Sequence, residues 1–266
     1  MKTITIGTRG SDLALWQANH VKSQLEAIGQ NVRLEVIKTR GDQIQDLSFD
    51  KMEGKGFFTK EIEVALLNHD IDLAIHSHKD LETTPPKGLK VAAVSGRENP
   101  CELLLINKSA HNPSAPWELK KKSIVGTSSS RRKSQLLALR SDVQIKDLRG
   151  NVPTRVAKLK SGEYDAILIA KAGALRLNLD LSDLISVDLT PDEFVPAPAQ
   201  GVLAFQIRSQ DKELEEVLQE INDHQIQKLV GLEREVLGLM DGGCQLPLGV
   251  YCDNRYVHVA YSDDAM

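Results

Sequence analysis

Three kinds of residue in this chain are placed where they could do chemistry: a cysteine in a glycine loop, a carboxylate after a strand, and clusters of arginines with hydroxyls. The cysteine lies in Asp241-Gly242-Gly243-Cys244-Gln245-Leu246-Pro247-Leu248, after a long helical pattern. Two glycines stop a helix and Pro247 forbids its resumption, so one reading is a C-cap turn holding a small buried cysteine. The other is a thiol lifted clear of secondary structure, on a backbone without bulk, to which a group is attached. An adduct bearing many carboxylates would account for the arginine clusters elsewhere in the chain. The carboxylate is Asp80, where the apolar run from Ile71 to Ile75 empties into His76-Ser77-His78-Lys79-Asp80. Ligands sit at the carboxyl ends of strands in open α/β sheets. There Asp80 can bind ring N–H groups and stabilise positive charge while Lys79 takes a substrate carboxylate; the alternative is a surface turn with a capping aspartate. His76-x-His78 has ligand types without a third ligand at a recognisable spacing, and no metal is expected.

The basic clusters repeat one arrangement. Ile124-Val125-Gly126 runs into Thr127-Ser128-Ser129-Ser130-Arg131-Arg132-Lys133 at a helix start. Three cations in a first turn oppose the helix dipole, at about 0.3–1 kcal/mol each when exposed, which an anion at the site would offset. A second copy follows in Leu148-Arg149-Gly150-Asn151-Val152-Pro153-Thr154-Arg155, where Asn151 can cap and Pro153 suits the first turn. Arg176 follows a third strand–helix step, and taken alone it reads first as a solvated helix charge. Arg9 precedes Ser11, a good N-cap; it either holds an anion beside the Ser11 amide or stands in solvent.

The elements that must position these groups are α/β. Strand patterns at 3–7, 32–37, 72–76, 91–94 and 102–106 alternate with helix patterns, and strands at 124–126, 143–147 and 165–169 do the same further on. Residues 41–57 read as a long polar loop containing Lys51 and Lys55, a length more often functional than structural. Pro196-Ala197-Pro198-Ala199-Gln200-Gly201 is a rigid connector, and the strand pattern at 202–207 suggests a return to the first domain. Helices at 212–221 and 223–240 lead to Cys244, with a hairpin around Asp253-Asn254 beyond. At 266 residues, 41% hydrophobic and 26% charged, the chain has room for two or three domains. A net charge of −4 argues against broad attraction to nucleic acid, so anions must be caught by local clusters. No G-x-G-x-x-G or Walker pattern supports a nucleotide, and no apolar stretch suits a membrane span. The three cysteines lack CxxC spacing and read as reduced thiols; with no secretory signal at the start, a cytoplasmic protein is expected.

Taken together, TRGSDLALWQ at 8–17, GKGFFTKEIE at 54–63, HSHKDL at 76–81, GTSSSRR at 126–132, LRGNVPTR at 148–155 and GGCQLPLG at 242–249 resemble the porphobilinogen deaminase family, in order and over nearly the whole chain. The resemblance implies two type II periplasmic-binding-protein-like domains with mixed, largely parallel sheets. Domain 1 would be residues 1–98 with 196–216, domain 2 residues 99–195, and a small α+β third domain residues 217–266. It implies a dipyrromethane cofactor held as a thioether by Cys244, onto which porphobilinogen units add with loss of ammonia until water releases hydroxymethylbilane. Asp80 would be the catalytic carboxylate. Lys79, Asp80, Thr127, Ser128, Ser129, Arg131, Arg132, Gly150 and Arg155 would surround the cofactor. Arg9, Ser11, Arg149, Arg155 and Arg176 would hold substrate acetate and propionate groups, and Lys51 and Lys55 would belong to the active-site loop. A monomer is implied, with porphobilinogen as partner and neither nucleic acid nor metal.

The chain departs from the family pattern in places. Asp12 and Glu82 replace prolines, Ser130 a leucine, Ala199-Gln200-Gly201 the common GQG, and Lys171 and Gln206 small and acidic residues. Family members also continue past the hairpin, so the third domain is expected to be short. A non-catalytic binder of a small polycarboxylate or oxyanion on the same scaffold is the alternative reading.

Overall fold

A computed structural model describes residues 3–39, 59–240 and 246–263. Cys244, Lys51 and Lys55 lie outside the described residues. The chain forms two compact units. One draws on the described residues up to Glu98 and from Ala199 to the end of the last helix; the other draws on Asn99–Pro198 and the C-terminal hairpin.

The first unit contains β1 (Ile4–Thr8), α1 (Asp12–Ala27), β2 (Val32–Val36), α2 (Lys60–Leu67), β3 (Leu73–Ser77) and β4 (Leu89–Val94). The second contains β5 (Glu102–Asn107), β6 (Ile124–Gly126), α3 (Ser130–Leu139), β7 (Gln144–Lys146), α4 (Val152–Lys160), β8 (Ala166–Ala170), α5 (Lys171–Arg176) and β9 (Leu184–Leu189). The chain then returns to the first unit through β10 (Leu203–Arg208), α6 (Lys212–Gln219) and α7 (His224–Leu239), and ends in the hairpin of β11 (Leu248–Cys252) and β12 (Val257–Tyr261).

The two five-stranded sheets have equivalent orders, β2-β1-β3-β10-β4 and β7-β6-β8-β5-β9. In each, the first three strands pair in parallel, and the fourth (β10 or β5) runs against both neighbours. Four strands of five therefore point the same way, the mixed but largely parallel arrangement expected. The reversed strand is in each case the one that follows a crossover from the other unit.

Both faces of each sheet are covered, so the strands read as nearly continuous apolar runs. Side chains alternate across a strand. Leu103 and Leu105 of β5 accordingly join the α4 side of the core with Val156 and Leu159, while Leu104 and Ile106 join the α3 side with Leu136. In the first unit Val21 and Leu25 of α1 and Leu214 and Leu218 of α6 cover one face, and Ile62 and Leu66 of α2 the other.

The return crossover is tightly built. Gly201 has φ +86, and a Cβ there would stand 2.2 Å from the Glu98 carbonyl oxygen, so only glycine fits. Ala199, at φ +61, also adopts the left-handed region, where the family pattern has glycine. That conformation costs about 1–2 kcal/mol for an L-residue. It is offset by the packing of Ala199 with Val94, Val202 and Val230, and by the Ala199 N–H, which donates to Glu233 Oε2 at 2.6 Å. The hairpin packs within the second unit, where the Val250 N–H donates to the Pro196 carbonyl at 3.0 Å.

Candidate functional site

Parallel neighbours bring their carboxyl ends to one edge of a sheet, and the chemistry-bearing residues of each unit lie at that edge. In the first unit β1 and β3 are adjacent and parallel. Arg9 and Ser11 follow β1. Ser11 caps α1, its hydroxyl accepting from the Ala14 N–H at 3.4 Å. Lys79 and Asp80 follow β3 in a single 3-10 turn, His78–Asp80.

That turn is held from several directions. The His78 N–H donates to the Val202 carbonyl at 2.9 Å, buried Gln17 donates to Ser77 Oγ at 2.9 Å, and Lys79 Nζ donates to Gln200 Oε1 at 3.2 Å. Asp80 itself is exposed, and among the described residues no hydrogen bond or ion pair engages its carboxylate. The turn supplies a fixed backbone and leaves the carboxylate open.

The two histidines beside it are buried and neutral. Burial holds His76 down to about 4, and its Nε2 meets Gln206 Oε1 at 3.1 Å. Burial, with Arg234 and Arg97 nearby, holds His78 down to about 3. Gln206 also donates to Glu63 at 3.0 Å, and burial raises that carboxyl above its ordinary value. His76 is thus a packing and hydrogen-bonding residue of the β3 end, and His78 a packed one.

In the second unit β7, β6 and β8 are successive parallel neighbours. Thr127, Ser128 and Ser129 follow β6, Arg149 and Gly150 follow β7, and Arg176 closes α5 after β8. Ser129 caps α3, accepting from the Arg132 N–H at 3.5 Å, and Thr127 Oγ1 accepts from the Ser129 N–H at 3.3 Å. The Ser128 hydroxyl both donates to the Leu148 carbonyl and accepts from the Leu148 N–H, each at 3.0 Å, so it fastens the loop after β6 to the loop after β7. Asn151 caps α4, accepting from the Thr154 N–H at 2.9 Å. Gly150 has φ +108, and a Cβ would meet Thr154 at 2.7 Å. Its carbonyl accepts from Arg155 Nε at 2.7 Å. Arg149 and Arg155 are half-buried and Arg176 is buried.

The basic first turn of α3 meets an anion that sequence reasoning missed. Glu102, fully buried at the start of β5, receives Arg131 Nη2 at 2.6 Å on one oxygen and Arg132 Nη2 at 2.8 Å on the other. Arg131 also donates to the Val195 carbonyl at 3.0 Å and Arg132 to that of Leu168 at 3.1 Å. Lys133 pairs with Asp147 at 2.9 Å. Part of the anion demanded by these cations is therefore internal. Two guanidiniums on one carboxylate still leave a positive charge in excess, and burial lowers Arg131 from its ordinary range despite Glu102. Glu102 heads an apolar strand, and nothing local in the sequence marks it as the partner of residues about thirty positions away.

Comparison with known proteins adds the following. The family model described as the porphobilinogen deaminase, dipyrromethane cofactor binding domain matches residues 4–216. A porphobilinogen deaminase of Maridesulfovibrio salexigens is 47% identical over 94% of this chain and 80% of its own length. One of Bacillus pumilus is 42% identical over 94% and 80%, and one of a Geobacillus species 43% identical over 99% and 81%. The chain thus spans about four fifths of these relatives. Among solved structures, an ancestral cationic amino acid solute-binding protein has 15% identity and a TM-score of 0.49, covering 90% of this chain and 93% of its own. An ancestral arginine-binding protein bound to arginine has 18% identity and a TM-score of 0.45, covering 91% and 99%. The strand orders above are those of two mixed, largely parallel α/β sheets, as the family resemblance implies.

Proposed function

The chain belongs to the porphobilinogen deaminase family, and from that premise we propose how its own residues carry the family's reaction. It is a transferase of tetrapyrrole biosynthesis that joins porphobilinogen molecules and yields hydroxymethylbilane. One observation carries the assignment of residues: the open carboxylate of Asp80 stands at the end of β3, on the sheet edge that also presents Arg9 and Ser11.

Asp80 accepts hydrogen bonds from the pyrrole N–H. As the aminomethyl carbon–nitrogen bond breaks and ammonia leaves, positive charge spreads onto the pyrrole nitrogen, and the carboxylate offsets it. Joining that methylene carbon to a second pyrrole displaces a proton from the carbon that is attacked, and the Asp80 carboxylate would take it. Arg9, Ser11, Arg149, Arg155 and Arg176 hold the acetate and propionate groups of the substrate, each charge-assisted bond contributing about 1.5–3 kcal/mol.

The dipyrromethane cofactor of the family supplies, when bound, the pyrrole carbon at which growth starts. A group bearing several carboxylates needs fixed cations and amides. The β6–α3 junction fits it through first-turn amides, the Thr127 and Ser129 hydroxyls, and the excess positive charge on Arg131 and Arg132. We assign Lys79, Asp80, Ser128, Gly150 and Arg155 to the same group. Its attachment is assigned to Cys244. Cys101 and Cys252 are buried, and burial raises the Cys101 thiol, which disfavours the reactive thiolate. Lys51 and Lys55 are assigned to the active-site loop.

The division into residues 1–98 with 196–216, 99–195 and 217–266 belongs to the same proposal, as do a monomeric state, a cytoplasmic location and the absence of a nucleic-acid or metal partner. Among the described residues no helix is long and apolar enough to cross a membrane. Nothing favours the non-catalytic binder.

Intact mass spectrometry tests the reading. The purified chain should carry two pyrrole units that Cys244→Ser lacks. A chain that stays unmodified after incubation with porphobilinogen overturns it.

A further inference from the structure

The Asp80 carboxylate has no side-chain partner among the described residues, so the backbone on either side of it must set where it points. That backbone is gripped by one side chain from another element. Arg234, on α7, donates through Nη1 to the His78 carbonyl at 3.1 Å and the Leu81 carbonyl at 3.3 Å, and through Nη2 to the Glu82 carbonyl. These carbonyls flank Asp80 on both sides.

The same segment borders a cleft. Its volume is about 370 Å³, and it is bordered by His78, Leu81, Glu82, Pro86, Val230 and Arg234. The Nδ1 atom of His78 is buried without a hydrogen-bond partner among the described residues. Beside that cleft the planar guanidinium restrains the segment directly, its fork reaching three carbonyls at once. A lysine ammonium is a point charge and cannot reproduce that geometry. Arg234 is also the neighbour of Glu233, which pairs with Arg97 at 2.7 Å and binds the Ala199 N–H, so α7 is anchored independently of Arg234.

We propose that Arg234 is a positioning residue for the reaction, holding the 78–82 backbone so that the Asp80 carboxylate meets the pyrrole nitrogen. The proposal rests on the role given to Asp80 above. A misplacement of about 1 Å at a reacting group can cost about a hundredfold in rate.

The test is a double-mutant cycle in the holoenzyme, with cofactor content followed by intact mass and by colour with Ehrlich's reagent. Arg234→Ala should keep its cofactor, lower kcat by about ten- to a hundredfold and change KM less than about twofold. Arg234→Lys should fall in the same direction. Arg234→Ala combined with Asp80→Ala should be no slower than Asp80→Ala alone, because the arginine acts through that carboxylate.

Near-normal kcat in Arg234→Ala, or losses that multiply in the double variant, overturns the proposal. If Arg234→Ala does not fold, Arg234→Lys decides. Failure of both to fold also overturns it, by making Arg234 a residue of the fold alone. Normal turnover in Asp80→Ala would instead remove the role of Asp80 on which the proposal rests, a result separable from the others.

Discussion

Two carboxylates near strand ends, one in each unit, have met opposite fates. Asp80 follows β3 in the first unit and is exposed; Glu102 begins β5 in the second, is fully buried, and receives two guanidiniums. The sheets around them have equivalent strand orders. The fold alone therefore does not decide what an acid at its edge does; the cations packed against it do. A buried acid between two arginines is neutralised and fixes where positive charge sits, whereas an open one keeps its charge for a ligand.

Breaking the buried case should have the largest effect. Glu102→Ala leaves two buried guanidiniums uncompensated, and loss of a buried ionic partner costs about 3–5 kcal/mol. The urea midpoint should fall accordingly, and an unchanged midpoint would mean that Arg131 and Arg132 find other partners. Breaking the open case should leave stability nearly intact and remove function. Asp80→Ala is expected to lower turnover about a hundred- to a thousandfold, with a thermal midpoint close to that of the parent. Turnover within a few-fold of normal would remove Asp80 from its role.

The two acids also differ in their nearest buried neighbours: two neutral histidines precede Asp80, whereas two guanidiniums bind Glu102. His76 is held at about 4 and His78 at about 3, against an ordinary 6.5, so the unfolded chain takes up their protons first as pH falls. Their contribution is complete above about pH 6.5 and is lost as pH drops toward 4, by roughly 3 kcal/mol for His76 alone. Glu63, raised by burial, works in the opposite sense, favouring the folded state on the acid side of its titration. Urea titrations across this range should show stability falling with pH, and His78→Leu should remove about half of the slope. An unaltered slope would place the proton uptake elsewhere.

The smallest effect concerns the joint between two loops of the second unit. Ser128→Ala removes both hydrogen bonds to Leu148 and should cost about 1–3 kcal/mol, read in the same titrations. No measurable change would mean that the loops hold together without it.

Much of this arrangement was legible in the residues. Most strands and helices fall within a residue or two of the periodic patterns, and the Ser11 and Asn151 caps lie where the sequence puts them. The strand Leu184–Leu189 was missed, its six residues alternating between two aspartate-bearing turns. The basic turn at Arg131 and Arg132 points to an outside anion, because sequence cannot distinguish that from an internal one. Its answer, Glu102, depends on pairing across the sheet. His76 and Gln206 meet across 130 positions, and Arg234 reaches back across more than 150 to the turn it grips, so neither contact has a local signature.

The reversed strand of the first sheet has a consequence for how the protein is made. While the ribosome is delivering the chain, β3 and β4 emerge with the place between them vacant, because Leu203–Arg208 is encoded about a hundred residues later. The second sheet does not wait in this way: its own reversed strand, β5, is the first of its strands to appear. Of the two five-stranded sheets, the one that begins first is thus the last to be completed, and until β10 arrives its nascent strands present bare hydrogen-bonding edges, the kind of surface that chaperones cover and that aggregation exploits.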